Sequence, residues 1–300
     1  MTDATTTHCG MFAIVGRPNV GKSTLLNHLV GQKLSITSRK PQTTRYNLLG
    51  VLTEGQHQLI FVDTPGIHQP PNKALNRVMN RSALASFEGV DAVLWLIDRL
   101  QWTAEDELVL EHLKRVAAPV ILLVNKVDQL PDQAVLLPHV ETISQRRALA
   151  AVFPLSALRG FNMDALKQWL LKHCPEGEHM FSEDQVTDRS LRFITAEIVR
   201  EKLVRQLGDE LPHETAVEIE SWDESGRLVE IHALILVERE GQKRIVIGDG
   251  GDRIKQIGRE ARIDIERLLE QRVVLKLWVK VKRGWSDDDR ALRSLGLGGL

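Results

Sequence analysis

A lysine and a serine, Lys22 and Ser23, follow Gly16 and Gly21 in the order G-x-x-x-x-G-K-S within Ile14 to Thr24. In that order the backbone N–H groups of Asn19, Val20, Gly21, Lys22 and Ser23 turn inward around a phosphate at a helix N-terminus that Thr24 continues. Lys22 then reaches the β- and γ-phosphates and the Ser23 hydroxyl binds Mg²⁺, so the pattern calls for a nucleoside triphosphate. Asp63-Thr64-Pro65-Gly66 supplies a carboxylate that holds Mg²⁺ through water, and at Gly66 an N–H that a γ-phosphate can accept. The base is read by Asn125-Lys126-Val127-Asp128. The Asp128 carboxylate accepts two parallel hydrogen bonds from the N1–H and 2-amino group of guanine, and adenine offers neither. Asn125 braces this loop, the Lys126 stem lies along the base, and Ser156-Ala157-Leu158 can place a backbone N–H at guanine O6. Each tetrapeptide alone is a polar turn; their order after successive apolar runs gives them meaning.

These residues need strands to carry them. Met11 to Val15 reads as a buried strand opening into a helix from Thr24, and Leu48–Leu52 with Leu59–Val62 reads as a hairpin that delivers Asp63. Between them Ser35 to Arg45 is polar and without an apolar period. The runs 92–97 and 120–124 are fully apolar, as in parallel strands covered on both faces. Helical spacing over 105–116, 133–150 and 163–172, with a strand at 151–153, completes a three-layer α/β domain with a mostly parallel sheet over residues 10–173. A polar linker, 174–188, begins at Cys174-Pro175. Beyond it the order changes to α-β-β-α-β over 189–300, with helices at 191–206 and 252–270 and strands at 215–220, 227–237 and 273–281. That is a second, α+β domain. Its Gly248-x-x-Gly251 turn at a helix start lets an RNA backbone approach closely. Ile247, Ile254 and Ile257 suit an apolar groove for splayed bases. Asp249, between the glycines, repels phosphate, so Arg253, Lys255, Arg259 and Arg262 must supply the charge. Lys276, Trp278, Lys280 and Lys282 share one face of the last strand, which suits RNA or simply a solvated surface.

The 300 residues are 43% hydrophobic and 26% charged with a net charge of -1, a soluble globular balance that excludes a uniformly basic nucleic-acid binder. No apolar run approaches a membrane span. Residues 1–10 lack the basic start and apolar core of a secretion signal, so a frayed leader and a cytoplasmic location are expected. Cys9 and Cys174 have no metal-ligand spacing and are expected to be free thiols, and the only metal expected is the one that travels with the nucleotide.

GRPNVGKS, Gln42-Thr43-Thr44-Arg45, DTPG, NKVD and SAL, followed by V-I-G-x-x-G-x-x-I-K-x-I-G and L-W-V-K-V-K, resemble the Era-like branch of the translation-factor-like GTPases from Met11 to the C-terminal residues. The resemblance implies a P-loop GTPase domain followed by a KH domain of type II. It implies that Thr44, or else Thr43, is the switch threonine that reaches Mg²⁺ with GTP bound, which places Thr44 with Lys22 and Gly66 as the catalytic set. It also implies binding to the 3′ end of 16S ribosomal RNA, a role in 30S subunit assembly, a monomeric protein, and room for peripheral contact with the inner membrane. Asn19 resembles the asparagine that binds K⁺ in cation-activated relatives. Ile67 stands where a water-orienting glutamine would otherwise follow Gly66. The rivals are a membrane-associated regulatory GTPase, and a KH RNA chaperone whose nucleotide site is structural.

Overall fold

The apolar run ending at Val15 is β1 (His8–Val15), with Phe12 to Val15 almost wholly buried because the sheet around it is covered on both faces. The computed structural model describes residues 6–38, 43–66, 79, 83, 85–207 and 215–288. Around β1 lie β2 (Leu48–Glu54), β3 (His57–Asp63), β4 (Ala92–Asp98), β5 (Val120–Asn125) and β6 (Ala151–Pro154), in the order β2-β3-β1-β4-β5-β6. Only β2 runs antiparallel. Ile14 stands beside Asp63, Val15 beside Trp95, and Asp98 beside Asn125, so the loops after β1, β3, β4 and β5 leave from one edge. That edge, the carboxyl ends of parallel strands, is where open α/β sheets bind ligands. Trp95, Ile97, Leu110, Leu122, Val124 and Ile143 form a core on one side of the sheet.

The helices here whose full span lies among the described residues are α1 (Lys22–Val30), α2 (Ala104–Leu113), α3 (Leu137–Arg146) and α4 (Met163–Lys172). The N-terminus of α2 is fixed by reciprocal bonds between Thr103 and Asp106, a capping box. It ends before the 105–116 spacing does, since Arg115 and Val116 close a tight turn onto His112 and Leu113. The 133–150 stretch divides into a 3₁₀ turn, Gln133–Leu136, and α3, which carries a proline in its first turn.

Residues 174–188 lie along this same unit. The Cys9 N–H donates to the Pro175 carbonyl at 3.0 Å, and the Val51 N–H to that of Val186 at 2.8 Å. Gln58, 0% exposed, accepts from the Met180 and Phe181 N–H groups at 2.8 and 2.9 Å and donates to the Phe181 carbonyl and the Thr53 hydroxyl. Cys9 and Cys174 are both buried, free thiols.

The second unit starts with α5 (Leu191–Gln206), capped by the Ser190 hydroxyl. A three-stranded sheet follows, β7 (Thr215–Asp223), β8 (Val229–Val237) and β9 (Val273–Val281), with β7 antiparallel and β9 parallel to β8. Between β8 and β9 lie α6 (Glu240–Ile247) and α7 (Asp252–Leu269). The order is therefore α-β-β-α-α-β, one helix more than the spacing reveals. With Gly241 in its first turn, and Gln242 and Val246 its only buried residues, α6 shows no clear apolar period. On α5, Glu197, Arg200, Glu201 and Lys202 are all buried and paired, Lys202 with Asp264 of α7 among them. Residues 36–38 and 43 cluster with this unit, and the Thr37 N–H donates to Glu201 at 2.9 Å.

Candidate functional site

The loop from Gly16 to Gly21 wraps the start of α1 so tightly that a Cβ on Gly21, whose φ is +107°, would lie 2.3 Å from Asn125 Nδ2. Only glycine fits there. Lys22, 7% exposed, donates from Nζ to the carbonyls of Gly16 and Arg17, both at 2.9 Å. Burial pulls its pKa down to about 8, partly opposed by Asp63. An ammonium held by two loop carbonyls is ready to be transferred to phosphate oxygens.

Ser23 is the next link. Its hydroxyl donates to Asp63 Oδ2 at 2.8 Å and lies 2.9 Å from that of Thr44. Ser35, a residue that no motif marks, donates to the same Asp63 oxygen at 2.8 Å. Asp63 Oδ1 is buried with no partner, and burial raises the carboxyl's pKa. One carboxylate among hydroxyls, with a lone oxygen left over, fits a hard divalent cation that keeps several waters. Of the two switch threonines, Thr44 stands beside Ser23, whereas the Thr43 hydroxyl meets that of Ser38 at 2.8 Å. Gly66 abuts the phosphate loop, since a Cβ there would lie 2.9 Å from Pro18 Cγ. Ile67 lies outside the described residues.

The base-reading loop is tied in by one side chain. Asn125 donates to the Val20 carbonyl at 2.7 Å and accepts from the N–H groups of Lys126 at 2.8 Å and Ala157 at 3.0 Å. It therefore joins the phosphate loop, the base loop and the Ser156-Ala157-Leu158 loop. Ser156 and Ala157 are buried, Leu158 is 73% exposed, and the Asp128 carboxylate is exposed where a base could meet it. Lys126 spans back to the Asn19 carbonyl at 2.8 Å and to Asp98 at 2.6 Å. Arg17 is anchored on Asp106 at 2.9 Å. Every nucleotide-site residue expected from the sequence is thus gathered at one sheet edge, with Thr24 in the first turn of α1. Ser35, Asp98 and Asp106, the partner of Arg17, join them from outside the nucleotide motifs.

In the second unit, a Cβ on Gly248, φ +73°, would lie 2.7 Å from Arg253 Cβ, so the turn between α6 and α7 admits no side chain there. Ile247 and Ile254 are half-buried beside this turn and Lys255 and Arg259 are exposed. Arg253 donates to the Ile245 carbonyl, and Lys255 to that of Gly250 at 3.3 Å. Ile257 departs from the expected groove: it is 0% exposed, because α7 turns Ile257, Ala261 and Ile265 together into the core.

Residues 11–126 match the 50S ribosome-binding GTPase family, and residues 210–286 match the KH domain family. Over 300 residues the chain is 59% identical to GTPase Era of Pseudomonas entomophila (strain L48), all of both chains being covered. The chain belongs to the Era family of GTPases. GTPase Era of Pseudomonas putida (strain KT2440) is also 59% identical over 300 residues, 100% of this chain and 99% of that protein. Two solved Era structures, each 40% identical with a TM-score of 0.93, cover 98% of this chain and 100% of their own. One is Era in complex with MgGDPNP and nucleotides 1506-1542 of 16S ribosomal RNA, the other a single-residue variant of Aquifex aeolicus Era bound to GDP.AlF4-. As an Era-family enzyme the chain binds GTP and hydrolyses it.

Proposed function

We propose that this Era-family GTPase uses its nucleotide state to control a grip on the 3′ end of 16S ribosomal RNA during assembly of the 30S subunit, with Mg²⁺ required and K⁺ stimulating turnover. The observation that carries the reading is the presence in one chain of a complete guanine site and a KH turn, Gly248 to Gly251, closed to side chains at its first glycine. An Era 40% identical to it was solved with MgGDPNP and a 16S segment, which points to the same pairing of ligands.

At the residue level, Asp128 selects guanine and Lys22 exchanges the Gly16 and Arg17 carbonyls for β- and γ-phosphate oxygens. Ser23, Thr44 and Asp63 would hold Mg²⁺, which when bound neutralises charge on the phosphates. The Gly66 N–H senses the γ-phosphate, and Asn19 would hold K⁺. RNA meets the Gly248–Gly251 turn, with bases over Ile247 and Ile254 and phosphates near Arg253, Lys255 and Arg259. The protein works as a cytoplasmic monomer with peripheral contact at the inner membrane. No helix among the described residues is long and apolar enough to cross a membrane.

The test is reciprocal titration. If GTP raises RNA affinity, RNA must raise the affinity for a GTP analogue by the same factor. Crosslinking and sequencing of RNA held with GTP analogue and with GDP should recover the 16S 3′ end preferentially in one state. RNA binding blind to nucleotide, with no turnover, would instead describe an RNA chaperone with an inert nucleotide site.

A further inference from the structure

Besides Asp106, the guanine site holds a buried carboxylate that no nucleotide motif contains. Asp98 ends β4, paired in register with Asn125, and is 4% exposed. Its Oδ2 accepts from Lys126 Nζ at 2.6 Å, with Arg17 Nη2 3.7 Å away, and its Oδ1 accepts from Arg99 Nε at 2.7 Å. Burial works to raise the carboxyl's pKa, but the bonds from Arg99 and Lys126 outweigh it, so the group titrates below the ordinary range. Each cation has a different second attachment. Arg17 is held by Asp106 and Gln101, while Lys126 donates to the Asn19 carbonyl at 2.8 Å.

The backbone shows why the last contact matters. Asn19 and Lys126 both occupy the left-handed region, with φ of +63° and +65°. A non-glycine residue stays in that region only when its surroundings hold it there. The single ammonium of Lys126 links the two strained residues, one in the phosphate loop and one in the base loop. Without a carboxylate beneath it, that ammonium would turn toward water and release the Asn19 carbonyl.

We propose that Asp98 is a positioning residue of the guanine site: its carboxylate fixes the Lys126 ammonium on the Asn19 carbonyl and so sets the spacing between base loop and phosphate loop before nucleotide arrives. Asp98 touches neither base nor phosphate and acts through Lys126. The consequence is a dissociation effect, since affinity changes within one binding site fall mostly on the off-rate.

The experiment follows release of fluorescent GDP from the full chain, chased with unlabelled GDP, for Asp98→Asn, Lys126→Met and the double variant. Asp98→Asn should release GDP at least about tenfold faster. The double variant should be no faster than Lys126→Met by more than about twofold, because coupled residues are non-additive. Across a titration of GTP, kcat should change less than KM. A merely structural role would add its full effect to Lys126→Met and would lower the melting temperature of the nucleotide-free protein in proportion. Additive effects, or unchanged release by Asp98→Asn, would overturn the proposal. Should Asp98→Asn fail to fold, Asp98→Glu runs the same cycle: a changed release rate that vanishes in the Lys126→Met background supports it, and one that persists, or no change, overturns it.

Discussion

The nucleotide site and the KH turn solve recognition in opposite ways. At the first, Lys22, Ser35, Asp63, Asp98, Asn125 and Ser156 are buried, and each is hydrogen-bonded within the site's loops. At the second, Lys255 and Arg259 are exposed, and the recognition surface is shaped by where glycine leaves backbone bare. A buried network concentrates binding energy in single atoms, since each member lost leaves others unsatisfied. An exposed basic surface spreads it over many contacts, each weakened by salt.

Removing the most concentrated element should break the contrast most clearly. Lys22→Ala should cost about 2–5 kcal/mol of GDP affinity, the range for truncating a buried, hydrogen-bonded charge partner. The melting temperature of the nucleotide-free protein should hold or rise, since a buried ammonium with lowered pKa has been removed; calorimetric titration and melting curves check the two halves. Asp128→Asn should cost about 1–3 kcal/mol toward GTP, because an amide replaces one carboxylate acceptor facing guanine. Xanthine, with a carbonyl where guanine has its amino group, should gain. Competition binding in which Asp128→Asn keeps full preference for GTP over XTP refutes the assignment.

On the KH side, Gly251→Asp should weaken RNA binding by about tenfold or more while leaving GTP affinity intact, because a side chain and a charge stand where RNA backbone must approach. Filter binding at two salt concentrations measures it. Gly248→Ala should instead damage folding, since its Cβ meets Arg253.

The smallest effect is in pH. Free Lys22 titrates at about 8, below its ordinary 10.5, and bound phosphate needs the ammonium. Nucleotide affinity should therefore fall as pH rises past that value, by up to about tenfold per unit. Between there and 10.5 the unfolded chain holds more protons than the folded one, so the free protein's stability rises with pH across that window as the penalty for burying the Lys22 ammonium is relieved. Calorimetric titration with a GTP analogue on either side of that value measures the decline.

The nucleotide motifs are legible because each is a contiguous string after an apolar strand, and strand order brings them to one edge. What is illegible joins residues far apart. Ser35 and Asp63 are 28 positions apart, and Arg17 and Asp106 are 89 apart. Asp63 and Arg17 lie in recognisable strings, but their partners Ser35 and Asp106 look like solvated polar residues until the fold brings them together. Ile257 fails for a related reason: its face of α7 is set by packing beneath it, which proximity to the glycine turn does not report. The short α6 is hidden by its glycine and its few inward residues.

The stretch from Cys174 to Asp188 has a consequence for solubility. It covers β2, the open border of the six-stranded sheet, through the bond from Val51 to Val186, the bridge from Gly50 to Thr187, and the Leu49 N–H on Asp188. An uncovered border of that kind is a template for pairing with another chain, and proteins guard against it. A fragment cut at residue 173 would keep every proposed nucleotide-binding residue yet expose that border and strip Gln58 of its bonds to Met180 and Phe181. It should therefore aggregate under conditions in which a fragment ending at 188 remains dispersed.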